Sequence, residues 1–123
     1  MPLNSRRCKR CAFVLGNSAY RHAPPLKNPP NDVAAIVAEL KAIKYNVFEH
    51  QDRDFDNINR HFDDFVAATE SAGTILIYYS GHGLQLPDEQ GNIINYIVPI
   101  DFTFECDNPV ARLVPVQPMI ERI

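Results

Sequence analysis

The sequence lacks tryptophan altogether and holds only three cysteines and five glycines among its 123 residues. It has no apolar run near the ~20 residues that cross a membrane as a helix, so no transmembrane segment is predicted. Neither sign of charge dominates, because the formal net charge is only -3, and this balance disfavours nucleic acid or an anionic membrane as a partner. Residues 1–10 are polar and basic and lack the apolar core of a signal peptide, which favours a cytoplasmic location.

The few cysteines do not match a known metal or redox site. Cys8 and Cys11 have the C-x-x-C spacing, but Cys106 and the scattered histidines offer no second pair of zinc ligands. A pair of the thioredoxin type follows a strand, whereas this pair precedes a predicted one. We therefore expect reduced thiols, no metal site and no cofactor.

What the sequence does contain indicates one folded domain over residues 10–123, preceded by a loose arm over residues 1–9. Hydrophobic residues make up 46% of the chain and charged residues 22%, a balance that favours a packed core over disorder. Apolar runs alternate with amphipathic stretches, which predicts a parallel sheet covered by helices. The expected strands are 11–15, 45–48, 74–79 and 93–99, the expected helices begin near Asn31, Asp52 and Pro118, and the expected irregular segments are 18–30, 84–90 and 102–115.

The most informative stretch is Ser80-Gly81-His82-Gly83, which follows the strand predicted at 74–79. Ligands of open parallel sheets bind beyond the carboxyl ends of the strands, where this stretch lies. A histidine between two glycines combines a base with backbone N–H groups that a ligand can approach closely, as acyl transfer requires. His82 is therefore the candidate catalytic base and Gly83 the candidate oxyanion donor. The alternative is that both glycines merely form a tight turn.

Four segments occur in an order that is typical of one peptidase family. They are AFVLGN (12–17) with AYR (19–21), LKNPPND (26–32), YYSGHG (78–83) and NYIVPID (95–101). Together they resemble the large-subunit (p20-like) domain of caspases and metacaspases, cysteine peptidases of clan CD and family C14, and especially the bacterial caspase-like proteins. The resemblance implies an α/β fold, namely a caspase-like three-layer α/β/α sandwich with a mostly parallel central sheet.

The resemblance also implies hydrolysis of peptide bonds by a Cys–His dyad. His82 falls on the family's catalytic histidine and Gly83 on its oxyanion glycine. The family's nucleophile ends the next strand, in an Asp-x-Cys stretch that Glu105-Cys106-Asp107 resembles superficially. Cys106 is not expected to be that nucleophile, because no apolar strand leads into it and it follows His82 too closely. We expect the nucleophile strand after Ile123, so the domain is expected to be truncated at its C-terminal end and inactive alone.

Substrate specificity is encoded by few residues. Caspases hold a substrate aspartate with an arginine where Leu26 stands here, so cleavage after aspartate is disfavoured. Asp32 resembles one of the acidic residues with which metacaspases bind a substrate arginine or lysine, although it could equally serve only to stabilise a helix N-terminus. Arg21, Lys27 and Asp101 either line the cleft or are simply solvated.

Two further features depart from simple patterns. Lys44 stands where the family usually has a glycine that ends the first helix, and a left-handed lysine would cost about 1 kcal/mol, so we expect the turn to differ locally. Asp52, Asp54 and Asp56 alternate along a loop, but without a glycine at the bend and a terminal glutamate they do not form an EF-hand calcium loop.

A second hypothesis belongs to a different class of protein. The chain would be a truncated pseudo-peptidase or protein-interaction module without catalysis, which binds a partner through its sheet. In both hypotheses an exposed sheet edge would pair with the missing C-terminal part or with another copy of the chain. A peptide or protein is the expected ligand of the peptidase.

Overall fold

The first half of the chain forms a parallel three-stranded sheet with strand order β2-β1-β3. Its strands are β1 (Arg10–Gly16), β2 (Asn46–Gln51) and β3 (Thr74–Ser80), and the connecting helices are α1 (Pro29–Ala42) and α2 (Phe55–Ala68). The structure is a computed structural model, and it describes residues 8–123. The first seven residues of the predicted arm 1–9 lie outside this described part.

The central strand β1 explains why helices cover both faces of the sheet. Its residues are buried from Cys11 to Gly16, and their side chains point alternately to opposite faces. Phe13 and Leu15 pack against α2, whereas Ala12 and Val14 pack against α1. The predicted fold class, a mixed α/β sandwich around a parallel sheet, is confirmed.

The second half of the chain adds a small antiparallel sheet with strand order β4-β5-β6. Its strands are β4 (Gly83–Pro87), β5 (Ile93–Ile97) and β6 (Val114–Pro115), followed by α3 (Val116–Glu121). A 3-10 helix spans Pro109–Arg112, within the stretch expected to be irregular. Among the described residues, no helix is long and apolar enough to cross a membrane.

Strand β4 was not expected, since residues 84–90 were predicted to be a polar, irregular segment. The prediction was wrong because Leu84 and Leu86 alternate with polar neighbours and pack, partly buried, against a cluster that includes Tyr20 and Val98. Alternation over so short a segment gives a weak sequence signal.

Helix α1 begins earlier than predicted. Asn28, not Asn31, precedes the helix, and Pro29 and Pro30 occupy its first two positions. Proline is well suited there, because the first N–H groups of a helix have no intrahelical partner and the φ of proline is already helical. The prolines that predicted a loop over 18–30 therefore start a helix at the end of that range.

The end of α1 also differs from the prediction. Lys44 adopts the left-handed conformation, with φ of 72°, although lysine was expected to avoid it. The N–H of Tyr45 donates to the Leu40 carbonyl at 3.0 Å and the N–H of Lys44 to the Lys41 carbonyl at 3.1 Å. This is a Schellman motif, and it is accompanied by the packing of Tyr45 against the apolar cluster to which Leu40 belongs. These contacts hold Lys44 in a conformation that glycine would adopt at lower cost.

The expectation of reduced thiols at Cys8 and Cys11 is wrong for this structure. Their sulfur atoms are joined in a disulfide, with the two Cα atoms 5.7 Å apart, an ordinary separation for such a bond. Both residues are buried at the entrance of β1. Cys106 is free and exposed.

Candidate active site

The candidate site lies where the three parallel strands end. Gly16 is in register with Gln51 of β2 and with Ser80 of β3, so the carboxyl ends of all three strands lie side by side. The segments that leave them begin with Asn17, Asp52 and Gly81. This is the edge of the sheet at which ligands of parallel α/β folds bind.

Asn17 joins the segments around this edge. Its side chain is fully buried. Its Nδ2 donates to the Val98 carbonyl at 3.2 Å, and its Oδ1 accepts from the Arg53 N–H at 2.9 Å. Its backbone N–H donates to the Ser80 carbonyl, also at 2.9 Å. One asparagine thus links the ends of β1 and β3 to the segments that hold Arg53 and Val98.

The His82 imidazole is half-buried and has two neighbours. Its Nε2 lies 3.4 Å from the Pro24 carbonyl oxygen, and its ring lies 4.5 Å from the Tyr20 ring, centroid to centroid. A carbonyl oxygen can only accept, so this contact favours the tautomer that carries its proton on Nε2. The lone pair of Nδ1 is then the basic site of the ring.

The backbone of His82 is also held at both of its polar groups. Its N–H donates to the Tyr20 hydroxyl at 2.7 Å, and its carbonyl accepts from the Tyr79 hydroxyl at 2.6 Å. The carbonyl also accepts from the Val98 N–H at 3.2 Å. Burial raises the pKa of both tyrosines, so both remain protonated at physiological pH.

The N–H of Gly83 points out of the small sheet. In the β4–β5 register Gly83 lies opposite Ile97, so the preceding pair is His82 and Val98. The bond from the Val98 N–H to the His82 carbonyl makes that preceding pair a hydrogen-bonded one. Hydrogen-bonded and non-bonded pairs alternate along an antiparallel ladder, so the Gly83 N–H points away from β5. Gly83 is itself exposed.

Position 81 has no room for a side chain. A Cβ added there would lie 2.7 Å from the Tyr20 hydroxyl oxygen and 2.8 Å from Cζ of Tyr79. Neither Gly81 nor Gly83 has a left-handed backbone, since within residues 8–123 Gly91 is the glycine with a positive φ. The need for glycine at position 81 therefore comes from the two tyrosines that surround it.

Asp32 lies beside the histidine stretch. It belongs to the first turn of α1, and its Oδ2 accepts from the Ser80 hydroxyl at 2.9 Å. The close approach of α1 depends on Gly16, where an added Cβ would lie 2.5 Å from Cγ2 of Val33. The fold thus brings Asp32 next to residues 80–83.

Comparison with known proteins assigns the chain to a family. A family model described as the caspase domain, Peptidase_C14, matches residues 9–117. The chain belongs to the caspase family of cysteine peptidases. It is 29% identical over 92 residues to human (Homo sapiens) mucosa-associated lymphoid tissue lymphoma translocation protein 1, a match that covers 75% of this chain and 11% of that protein. The mouse (Mus musculus) homologue is 28% identical over 92 residues, again 75% of this chain and 10% of that protein. The chain therefore spans about a tenth of the length of these relatives.

Cys106 lies in a different setting from His82 in this caspase domain. It is exposed in the irregular stretch after Asp101, and its Sγ lies 3.6 Å from the Thr103 carbonyl oxygen. The cavity of about 390 Å³ beside it is lined by Asp101, Thr103, Asn108, Ala111 and Arg112, and by no residue of 80–83. The contacts described for His82 do not include Cys106.

The other acidic residues considered at the sequence level have structural partners. Partial burial raises the pKa of Asp52, but hydrogen bonds from Ala19 and Ser18 outweigh this effect and leave the pKa below its usual value. Asp54 caps α2 by accepting from the Asn57 N–H. Within the described part of the chain, no group of three or more potential ligands could hold a metal ion.

Asp101 likewise has structural partners. It accepts from the Phe55 N–H at the start of α2 and from Arg112. Arg21 and Lys27 are exposed. Among the residues considered for specificity, Asp32 is thus the one whose side chain is hydrogen-bonded to the histidine stretch.

Sequence reasoning missed the residues that hold His82. Tyr20, Pro24, Tyr79 and Asn17 all contact it or its neighbours, yet none was a candidate. A signal was present in the tyrosines, because a buried hydroxyl needs hydrogen-bond partners and Tyr79 lies in a largely apolar strand. One partner of Tyr79 is the His82 carbonyl, three residues on, but the other is Tyr20, 59 residues away along the chain, which no local pattern reveals.

Proposed function

We propose that this caspase domain is the part of a cysteine endopeptidase that supplies the acid–base histidine, His82, and an oxyanion donor, the Gly83 N–H. The observation that supports this most strongly is the contact between Nε2 of His82 and the Pro24 carbonyl. It leaves the Nδ1 lone pair as the basic site, beside a backbone N–H that points away from its own sheet.

The proposed reaction is acyl transfer through a thioester. A cysteine thiolate attacks the scissile carbonyl, and the Gly83 N–H stabilises the negative oxygen of the tetrahedral intermediate. The C–N bond then breaks as protonated His82 gives its proton to the leaving amine. Neutral His82 next removes a proton from water, the hydroxide attacks the thioester, and the carboxylic product and the thiolate are released.

The nucleophile of this reaction is proposed to lie outside these 123 residues. Cys106 is exposed, its described hydrogen bond is to Thr103, and its cavity shares no residue with the histidine stretch. The 123-residue chain alone is therefore expected to be inactive on peptides. Its proposed partners are a peptide or protein substrate and the polypeptide segment that brings the cysteine.

The outer edge of β3 is the proposed place for that segment. Within residues 8–123 β3 pairs with β1 alone, and beside it lies an apolar cavity of about 190 Å³, lined by Ile77, Tyr79, Ile97, Val116, Met119 and Ile120. An added strand would bind the backbone groups on the other side of β3 and place apolar side chains in this cavity. Another copy of the chain is the alternative occupant.

The proposed substrates carry arginine or lysine before the cleaved bond. Asp32 uses Oδ2 to accept from Ser80, while Oδ1 accepts no hydrogen bond among residues 8–123. A carboxylate with a free oxygen beside the site would bind a cationic side chain. Leu26 offers no charge for a substrate aspartate.

The expected cytoplasmic location stays a prediction.

The test uses the whole polypeptide that contains this chain in its source organism. Fluorogenic peptides ending in Arg, Lys and Asp would be compared, with and without a thiol-alkylating reagent. We expect thiol-sensitive cleavage after Arg and Lys, and in Asp32→Asn a loss of kcat/KM of about tenfold or more on those two peptides.

Two results would oppose the proposal. Cleavage that alkylation does not inhibit would exclude a cysteine peptidase. An intact mass that matches the 123 residues, together with no turnover of any peptide, would favour the interaction module instead.

A further inference from the structure

The two tyrosines beside His82 close a ring of hydrogen bonds around its peptide backbone. The His82 N–H donates to the Tyr20 oxygen at 2.7 Å, the Tyr20 and Tyr79 oxygens lie 3.1 Å apart, and the Tyr79 hydroxyl lies 2.6 Å from the His82 carbonyl. Tyr20 lies in the loop after β1, and Tyr79 belongs to β3, so two separate segments of the chain meet at His82.

The direction of every bond in the ring follows from counting protons. The Tyr79 hydroxyl lies 2.6 Å from the His82 carbonyl oxygen and 3.4 Å from the Val98 carbonyl oxygen. Both carbonyls can only accept, so Tyr79 donates its single proton to them, mainly to the much closer His82. The oxygen of Tyr79 can then only accept from Tyr20. The oxygen of Tyr20 in turn accepts from the His82 N–H. Each tyrosine hydroxyl donates one bond and accepts one, and the loss of either hydroxyl opens the ring.

The ring replaces a bond that the β4–β5 ladder would otherwise form. His82 and Val98 lie opposite each other at a hydrogen-bonded position, where two bonds are the rule. The Val98 N–H does donate to the His82 carbonyl. The His82 N–H, however, is taken by Tyr20, and the Val98 carbonyl accepts from Asn17. The His82 peptide is thus oriented by side chains at the point where the hairpin leaves β3.

We propose that Tyr20 and Tyr79 are positioning residues for His82, because their hydroxyls fix the two peptide groups on either side of its Cα. The Tyr20 hydroxyl holds the Gly81–His82 peptide at its N–H, and the Tyr79 hydroxyl holds the His82–Gly83 peptide at its carbonyl. Together the two peptide planes fix the direction in which the imidazole leaves the backbone towards Pro24, and the second plane also fixes the direction of the Gly83 N–H. That this orientation serves catalysis rests on the proposed function. That the two hydroxyls orient His82 does not. Glycine at position 81 fits the same arrangement, because a Cβ would collide with both tyrosines.

The test is nuclear magnetic resonance of the 123-residue chain with Tyr20→Phe and Tyr79→Phe, studied separately. The matched control is Tyr78→Phe: Tyr78 is the neighbouring tyrosine of β3, it packs on the opposite face of the sheet, and its hydroxyl has no hydrogen bond among residues 8–123. The two readouts are hydrogen exchange of the His82 amide and the nitrogen chemical shifts of its imidazole.

In Tyr20→Phe, loss of the acceptor should make the His82 amide exchange about tenfold faster. Tyr79→Phe should have a smaller effect on this amide, because Tyr20 can still accept from it. In both variants the imidazole shifts should move from the Nε2–H tautomer towards a mixture of tautomers, while Tyr78→Phe leaves both readouts unchanged.

Imidazole shifts that stay at the wild-type values in both Phe variants would overturn the proposal, since the ring would then not orient His82. In the active whole polypeptide, the same variants should lower kcat about tenfold to a hundredfold with little change in KM. Normal imidazole shifts with lost activity would contradict the positioning role, whereas altered shifts in a protein without peptidase activity would contradict only the proposed function.

Discussion

The two ends of the parallel sheet are held together in different ways. At the carboxyl end, side chains bind the loop backbone: Asn17 binds Val98 and Arg53, Asp52 binds the N–H groups of Ser18 and Ala19, and Tyr20 binds His82. At the amino end several bonds run between backbone groups: the Lys9 carbonyl accepts from the N–H groups of Gly73 and Thr74, and the Schellman motif closes α1. The side chains of Arg10 and Thr69 also donate there, but to carbonyls at the ends of α1 and α2 and not to the loops of the site.

Residue identity matters most where side chains make the bonds. Backbone bonds persist under most substitutions, so the contacts of the Lys9 carbonyl and the Schellman motif should tolerate change better than the loops at the carboxyl end. Bonds made by side chains end when the side chain is replaced, and at the carboxyl end they orient loops that have no other regular structure. A site that needs fixed geometry benefits from such bonds, because they preorganise the groups that would act on a ligand.

The strongest test of this contrast is Asn17→Ala. It should lower the free energy of unfolding by about 3 kcal/mol, because it leaves the buried Val98 carbonyl and the partly buried Arg53 N–H short of a partner. Denaturant titration measures the loss. The matched control is Asn108→Ala, an exposed asparagine whose replacement should change stability by less than about 0.5 kcal/mol. Equal effects of the two variants would contradict the role given to Asn17.

The second test compares the two glycines that flank His82. Gly81→Ala should cost about 2 kcal/mol, since its Cβ would lie within 3 Å of Tyr20 and Tyr79 atoms. Gly83→Ala should be nearly neutral, because the nearest atom to its Cβ is the Tyr96 carbonyl oxygen at 3.4 Å. Thermal unfolding of both variants provides the comparison. A Gly81→Ala variant as stable as Gly83→Ala would show that the tyrosines do not restrict position 81.

The third test concerns how stability depends on pH through two histidines near the carboxyl end of β2. The rings of His50 and His61 stack 4.1 Å apart between β2 and α2. Burial, followed by the charges of His61 and Arg53, lowers the pKa of His50 to about 4, with Asp64 acting in the opposite sense. Burial, Arg53 and Arg60 lower the pKa of His61 as well.

A lowered histidine pKa means that the unfolded chain binds more protons than the folded one. The contribution of neutral His50 to the free energy of unfolding is therefore complete above pH 6.5 and is lost as the pH falls from 6.5 to about 4. Because the histidine pair is only partly buried, we expect the free energy of unfolding to fall by about 1–2 kcal/mol over this range. The loss should be smaller in His50→Gln and unchanged in the control His22→Gln, an exposed histidine. Identical pH profiles for all three proteins would refute the assignment.

The smallest expected effect is a gain in stability at the amino end of the parallel sheet. Lys44→Gly should raise the free energy of unfolding by about 1 kcal/mol, since glycine adopts the left-handed conformation without the clash of a Cβ. Lys41→Gly is a suitable contrast. Lys41 lies in the last turn of α1, where glycine should destabilise by about 1 kcal/mol. Chemical denaturation of both variants shows whether the two changes have opposite signs.

Most of the fold could be predicted from sequence because its elements are defined locally. The apolar run at 11–15 and the run at 74–79 both became strands, and the order of strands and helices gave the parallel sheet. The start of α1 was missed because proline is compatible with a loop and with a first helical turn alike. The conformation of Lys44 was missed because it depends on the hydrogen bond from the Tyr45 N–H to the Leu40 carbonyl and on the packing of Tyr45 against the apolar cluster under α1.

The candidate site was predictable in part. The glycines around a histidine at a strand end pointed to the stretch 80–83 as a candidate, and the resemblance to the caspase family is confirmed by the family match over residues 9–117. Two of the residues that hold His82, Tyr20 and Pro24, lie about 60 positions earlier in the chain, and only the folded sheet brings them to it. The disulfide between Cys8 and Cys11 was missed because their spacing also suits two free thiols.

We propose that His82, and not Cys106, belongs to the catalytic pair. This is tested by kcat/KM of the whole polypeptide on an arginine-ended peptide, for His82→Ala and Cys106→Ala side by side. His82→Ala should lose about a thousandfold in kcat/KM, whereas Cys106→Ala should keep wild-type activity. Full activity in His82→Ala, or complete loss in Cys106→Ala, would contradict it.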